Sequence, residues 1–229
     1  MQLSGRKKEI FDLLCKESTI TVAQLARLLY VSEMTIRRDL AAMEAHGFVT
    51  RYRGGAVART SGHLPLSERM HLEEKEKRAL CEKAATYLKD GMTVFVDFSS
   101  TCQFLLPHFK KFSHIHLVTN SLQALSSAEA LEIPCFLLGG EYCARERCLL
   151  GPAAERAADA VNTDVAFFSA QGYTEDGRIT DSTLEAITLR ERIMRHATLS
   201  VFLFESAKCG KSYPHTLLPP EGCRLITIL

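Results

Sequence analysis

Along residues 1–60 the apolar positions recur at helical spacing in three short runs. Ile10, Leu13 and Leu14 line one face of a helix expected from Arg6 to about Lys16. Ser18-Thr-Ile-Thr21 interrupts that pattern. Thr21 then has the chemistry of an N-cap, Gln24 completes a capping box, and Ile20 and Leu25 are placed as a hydrophobic staple. Val22, Leu25, Ala26 and Leu29 follow at i, i+3, i+4 and i+7, so this second helix buries one face. After the tight break at Leu29-Tyr30-Val31, Ser32 caps a third helix, with Val31 placed to staple against Ile36. Two helices joined by so short a turn cross steeply, as in a helix-turn-helix. Phe48 to Arg53, Gly54-Gly55 and Ala56-Val57 read as a hairpin, the glycine pair supplying the positive φ of its turn.

Gly, Pro and Ser without a clean period mark a linker over 59–72, between a small unit at 1–58 and a larger one at 73–229. The larger unit opens with a charged amphipathic helix over 73–88. Short apolar runs at 93–97, 115–119, 134–138, 165–169, 199–204 and 225–229 then alternate with helical sequence. Such alternation predicts an α/β unit built on a parallel, helix-covered sheet, with ligands beyond the carboxyl ends of its strands.

Composition adds few constraints. The 229 residues are 46% apolar and 24% charged, ordinary for a folded soluble chain. No segment reaches about 18 continuous apolar residues, and no apolar run follows a basic start, so neither a membrane span nor a signal peptide is expected, and the cytoplasm is. The eight cysteines form no CxxC pair. The nearest two, Cys143 and Cys148, have four residues between them. They read as reduced thiols used as small apolar side chains, with no metal site and no cofactor expected. The net charge of +1 hides an asymmetry. Residues 1–60 carry ten Lys and Arg against six acids, whereas the remainder is acidic. A small basic unit joined to a larger acidic one implies division of labour.

The third helix carries candidate chemistry. Ile36, Leu40 and Met43 make its buried face. The opposite face presents Met34, Thr35, Arg38 and Ala41, with Arg37 at its edge. Ser32 and Thr35 sit in the first turn, where a recognition helix meets base edges. Arg37 and Arg38 have the donors to grip guanine or clamp phosphates, and Arg51 and Arg53 flank the hairpin as a DNA-contacting wing would. In the larger unit the polar residues collect after strands: Asp97-Phe-Ser99-Ser100-Thr101, Thr119-Asn120-Ser121, then Gly139-Gly140, with Lys208 after the fifth strand. Hydroxyls and free N–H groups beside a lysine are suited to an anion. Ser and Thr acting only as N-caps is the plainer alternative. Arg145 and Arg147, within 141–150, are suited to a phosphate, with a solvated charged loop as the favoured alternative.

Val31-Ser-Glu-Met-Thr-Ile-Arg-Arg-Asp-Leu40, Gly47-Phe and Arg53-Gly-Gly-Ala-Val57 resemble the winged helix-turn-helix of DeoR-family bacterial transcriptional regulators. Asp97 and Thr101, Thr119-Asn-Ser121, Leu138-Gly-Gly140, Gly151, Asp164, Gly172, Thr180-Asp181, Glu185-Ala186, Arg190 and Ser206-Ala-Lys-Cys-Gly210 resemble that family's sensor motifs. The resemblance implies a ribose-phosphate-isomerase-like sensor fold, operator DNA as partner, and repression of a sugar-metabolism operon under a sugar-phosphate effector. It also implies a dimer or tetramer. The implied effector residues are Asp97, Ser99, Ser100, Thr101, Thr119, Asn120, Ser121, Gly139, Gly140, Glu185 and Lys208. Departures from the family pattern are Tyr30 and Ser99 for glycines, Gln171 for a small residue, Leu189 for a lysine and Glu205 for an aspartate. They keep open a regulator whose larger unit only assembles. An isomerase using Asp97, Glu185 and Lys208 as acid–base groups is the rival from another class.

Overall fold

The computed structural model describes residues 5–16, 20–46, 48–52, 54–58 and 64–229. The chain forms two compact units that divide between His71 and Leu72.

In the first unit the helices are α1 (Arg6–Lys16), α2 (Val22–Leu28), α3 (Glu33–Ala45) and the short α4 (Leu66–Arg69). The strands are β1 (Ile20–Thr21), β2 (Val49–Tyr52) and β3 (Gly55–Ala58). Both expected caps are made. The Thr21 hydroxyl accepts from the Gln24 N–H at 3.2 Å, and the Gln24 side chain accepts from the Thr21 N–H at 2.8 Å. The Ser32 hydroxyl accepts from the Thr35 N–H at 3.2 Å. Ile10, Leu14, Leu25, Ile36, Leu40 and Met43 are buried, and Phe11 meets Phe48 edge to face at 5.9 Å. Arg6 pins α1 to α3 through Asp39 at 2.6 Å. Leu64 and Leu66, within the stretch read as linker, are also buried.

Two local readings need correction. Ile20-Thr21 is a third strand, paired antiparallel with β3, so the sheet order is β1-β3-β2. An N-cap residue already has extended backbone, so it pairs readily when a strand edge is within reach. Only Gly54 supplies positive φ (+99°). Gly55 is needed for space, because a Cβ there would lie 2.6 Å from the Ile20 carbonyl and 2.4 Å from the Tyr52 hydroxyl. Tyr30, at the turn position that resembles a family glycine, adopts the left-handed conformation itself (φ 53°), with its side chain 94% exposed.

The second unit begins with α5 (Glu74–Ala84), which tightens into a 3-10 turn at Ala85–Tyr87. β4 (Thr93–Val96) leads into a ten-residue 3-10 segment, Cys102–Lys111, interrupted by Pro107. Then come β5 (His116–Thr119), α6 (Leu122–Ala130), β6 (Cys135–Leu137), β7 (Glu141–Cys143), β8 (Cys148–Leu150), α7 (Pro152–Ala158), β9 (Val165–Phe168), β10 (Gly172–Tyr173), β11 (Ile179–Asp181), α8 (Leu184–Arg195), β12 (Ser200–Leu203), β13 (His215–Thr216) and β14 (Leu225–Ile228). The six expected strands form one parallel sheet in the order β14-β12-β9-β4-β5-β6. β9 and β12 are buried at every position, as strands covered on both faces must be. Across neighbouring strands Phe95 meets Phe168 in a tilted pair at 5.5 Å and Phe168 stacks on Phe202 at 4.9 Å, and all three share a cluster with residues of α7 and α8.

Two small sheets went unread. β10, β11 and β13 form one, and β7 pairs with β8 as a hairpin inside the supposed solvated loop. Cys148 and Leu150 alternate inward there, which the arginines between the cysteines obscured.

The two turn glycines separate strain from space. Gly54→Ala meets open space and costs only its left-handed backbone, about 1–2 kcal/mol. Gly55→Ala forces backbone apart across β1 and β3 and costs about 1–3 kcal/mol through overpacking. Thermal unfolding of the first unit's secondary structure, with Tyr52→Phe added to remove the hydroxyl clash, should leave most of the Gly55→Ala penalty in place.

Candidate functional site

In the first unit the caps fix where α3 begins and therefore which side chains leave the core. Ile36, Asp39, Leu40 and Met43 face inward. Met34 is 75% exposed, Ser32 is exposed and Thr35 is half-buried, its hydroxyl 2.9 Å from that of Ser32. Arg37 is exposed and pairs with Glu33 at 2.8 Å. Arg38 is exposed and has no hydrogen-bond or ion-pair partner among the described residues. Arg51 bonds Glu44 through its side chain at 2.6 Å and its N–H at 2.8 Å, fastening β2 to α3. Arg53, the other wing arginine, lies outside the described residues.

In the second unit the strand ends bring Ser100, Thr101 and Lys208 together. Lys208 Nζ donates to Ser169 Oγ at 2.7 Å and Thr101 Oγ1 at 3.1 Å, and pairs with Glu205 at 2.7 Å. Thr101 donates to Glu205 Oε1 at 2.7 Å. Lys77 of α5 donates to Ser100 Oγ at 3.1 Å and lies 3.7 Å from the same carboxylate. A second group adjoins it through the 97–101 loop: Arg190 of α8 bonds Asp97 at 3.0 Å and Asp181 at 2.8 Å. All of these except Lys208 are buried. The first group holds two lysines against one carboxylate, and the second holds one arginine against two.

The remaining expected residues divide. Ser99, at the position that resembles a family glycine, turns its hydroxyl to cap the Cys102 N–H at 3.2 Å. Thr119 and Ser121 spend their hydroxyls locally, on Val96 O at 2.6 Å and as the N-cap of α6 at 3.1 Å. Asn120 is fully buried; its Nδ2 donates to Leu149 O, while its Oδ1 has no hydrogen-bond partner among the described residues. Gly140 is needed for its own chain, since a Cβ would lie 2.5 Å from Leu150 O. Gly139 and Glu185 are exposed and join neither buried group. Among the described residues no cluster of three His, Cys, Asp or Glu is arranged for a metal.

Lys77 was missed, yet its spacing signals it. It falls on the stripe of Leu80, Cys81 and Ala84, where a lysine is out of place without a partner. Arg190 stands likewise on the apolar face with Ala186, Ile187, Ile193 and Met194.

Burial pushes the Glu205 carboxyl up, but the charges of Lys208 and Lys77 and the hydrogen bonds from Lys208 and Thr101 outweigh it and hold it at about 2, below its ordinary 4.5. A carboxyl depressed in this way stabilises the fold above its unfolded value and loses that contribution as pH falls toward 2. Glu205→Gln should therefore be less stable than wild type at neutral pH. The gap should close between about pH 4.5 and 2 in denaturant titrations, whereas a gap independent of pH would contradict the ion pairing.

Two family models match the chain. The DeoR-like helix-turn-helix domain covers residues 6–62 and the DeoR C terminal sensor domain covers 72–227. The lactose phosphotransferase system repressor of Lactococcus lactis subsp. lactis is 33% identical over 218 residues, 91% of this chain and 84% of that protein. The HTH-type transcriptional regulator GolR of Listeria innocua serovar 6a is 30% identical over 224 residues, 96% of this chain and 88% of that protein. A D-ribose-5-phosphate isomerase in complex with phospho-erythronic acid gives a TM-score of 0.45 at 20% identity, over 59% of this chain and 54% of that one, too remote a likeness to assign an activity. With both models matched in order along one chain, the protein belongs to the DeoR family of DNA-binding transcriptional regulators.

Proposed function

We propose that this regulator represses a sugar-utilisation operon in the cytoplasm and is controlled by a phosphorylated sugar bound in its second unit. The observation that carries the effector reading is the meeting of Lys77 and Lys208 on one carboxylate, beside the hydroxyls of Ser100, Thr101 and Ser169. That cluster offers donors and one surplus positive charge at the end of a parallel sheet, where such folds take ligands. Asp97, Ser99, Thr119, Asn120, Ser121, Gly139, Gly140 and Glu185 are the further effector residues of this reading, Asn120 for its unpartnered buried oxygen. Relatives named lactose phosphotransferase system repressors agree with a sugar-linked role. The isomerase reading is weaker, because Asp97, its natural base, is engaged by Arg190 and by the Ser99 N–H.

On DNA, Ser32, Met34, Thr35, Arg37 and Arg38 face the major groove, and Arg51 and Arg53 the backbone or minor groove. Arg38 is free to bind at once. Arg37 must leave Glu33, a surface pair of little strength, and Arg51 steadies the wing through Glu44. One winged helix makes few base contacts, so a dimer or tetramer on repeated half-sites is the assembly proposed. The effector acts only to the extent that it binds one arrangement of the DNA-binding units better than another.

Arg37→Ala with Arg38→Ala should weaken binding to a selected operator by more than about tenfold, each guanine contact being worth about 1–3 kcal/mol. The slope of affinity against salt should fall with it. Binding within about twofold of wild type would overturn the assignment. In a thermal-shift panel of sugar phosphates paired with their unphosphorylated forms, stabilisation should require the phosphate and vanish in Lys208→Ala. A flat panel would overturn the effector reading and leave a larger unit that only assembles.

A further inference from the structure

We propose that Cys143 and Cys148 form a reversible disulfide, with hydrogen peroxide as oxidant, and that this bond restrains the loop carrying Asn120 and Ser121. The two cysteines face each other in register across the β7–β8 hairpin. Directly opposed residues of an antiparallel pair have Cα atoms about 4.5–5.5 Å apart, within the range a disulfide spans. Opposed side chains also leave the same face of a hairpin. Cys148 belongs to the central apolar cluster of the second unit, and Cys143 packs against that cluster.

The type of pair follows from the neighbouring bonds. The Leu149 N–H and the Arg147 carbonyl point away from β7, to Asn120 O and the Leu122 N–H, both at 2.9 Å. The Cys148 N–H and C=O therefore face Cys143, which makes this the hydrogen-bonded, wider kind of pair. Bringing the two Cβ atoms to bonding distance strains the hairpin, and a strained disulfide is readily reduced. Reversibility is thus built into the position.

The sulfurs differ in access. Cys148 is fully buried, and burial pushes its thiol well up, whereas Cys143 is part-exposed. Cys143 is the sulfur that meets the oxidant. Its thiolate attacks one peroxide oxygen, the O–O bond breaks, and the departing oxygen leaves as water after taking a proton. The Cys143 sulfenic acid then receives the Cys148 sulfur. The S–O bond breaks, and the Cys148 proton leaves with the hydroxyl as a second water. Two thiols are oxidised and one peroxide is reduced to two waters. A thiol reductant reverses the step.

The hairpin is fastened to the 120–122 loop by the two backbone bonds above and by Asn120 Nδ2 on Leu149 O at 3.1 Å. Cys148 also bridges Ser121. A bond across the turn end of the hairpin, beside Arg147 and Leu149, removes freedom from the segment that holds this loop. The placement of the disulfide does not depend on the effector reading, since neither its formation nor the loop restraint requires a ligand.

The test uses the full chain, reduced, treated with hydrogen peroxide, alkylated and digested with trypsin. Arg145 and Arg147 lie between the cysteines, so the disulfide is recovered as two linked peptides. Fragmentation then distinguishes Cys143 from Cys135 in the longer one. The expected result is a Cys143–Cys148 link that dithiothreitol removes and Cys143→Ser abolishes. Amide exchange at Leu122 and Leu149 should slow by about tenfold in the oxidised protein. Free, alkylatable Cys143 and Cys148 at peroxide levels that oxidise the exposed Cys209 would overturn the site. Equal exchange in the two states would overturn its hold on the loop.

Discussion

Arg190 reaches from α8 to Asp97 after β4 and to Asp181 at the end of β11, and the second unit is organised around that bond. It ties a helix, the parallel sheet and the small antiparallel sheet together at a buried point. Burial opposes the guanidinium's charge, yet the two carboxylates raise its pKa overall. Losing one partner of such a group costs about 3–5 kcal/mol, because the others stay charged in a poor solvent. Asp97 fixed in this way accepts the Ser99 N–H, which sets the turn that places Ser100 and Thr101.

That turn is where the second charge group begins. Ser100 meets Lys77, and Thr101 meets Glu205 and Lys208. The surplus positive charge of this group and the surplus negative charge of the Arg190 group stand on the two ends of one five-residue loop, so each offsets the other's cost. A serine in place of glycine at 99 is tolerated because its hydroxyl caps the segment that follows rather than filling the space between the lysines. The cross-strand aromatic stack supplies the apolar support beneath these ends.

Much of this architecture was legible because it repeats a period. The three N-terminal helices follow from Ile10, Leu25, Ile36 and Leu40 at helical spacing and from Thr21 and Ser32 as caps. The six parallel strands follow from apolar runs. Elements of two or three residues, such as β1 and β10, have no period to read; only their partners define them. The candidate site was legible by residue type and not by pairing. Ser100, Thr101 and Lys208 were expected together and are together, whereas Thr119 bonds the Val96 backbone and Ser121 caps α6. Lys77 and Arg190 were visible as charges on apolar helix faces, but Glu205 and Asp97, the carboxylates they meet across the fold, lie 128 and 93 residues away along the chain, which no local pattern encodes.

The same pairing bears on how a ligand phosphate is held. Glu205 already accepts from Thr101 and faces both lysines, so the cluster is not an empty cradle. A phosphate entering it competes with a carboxylate that is internal, fixed and permanently at hand. Its net affinity is the difference between its own contacts and those Glu205 gives up. A longer side chain where the family pattern has aspartate strengthens the internal competitor. On the proposed effector reading, the affinity for an anion is therefore set as much by how far Glu205 withdraws as by what the lysines offer. Such a withdrawal would release Thr101 and act, through the 97–101 loop and Asp97, on Arg190 of α8. On that reading, occupancy of the cluster is linked to the buried Asp97–Arg190–Asp181 group that joins α8 to the two sheets.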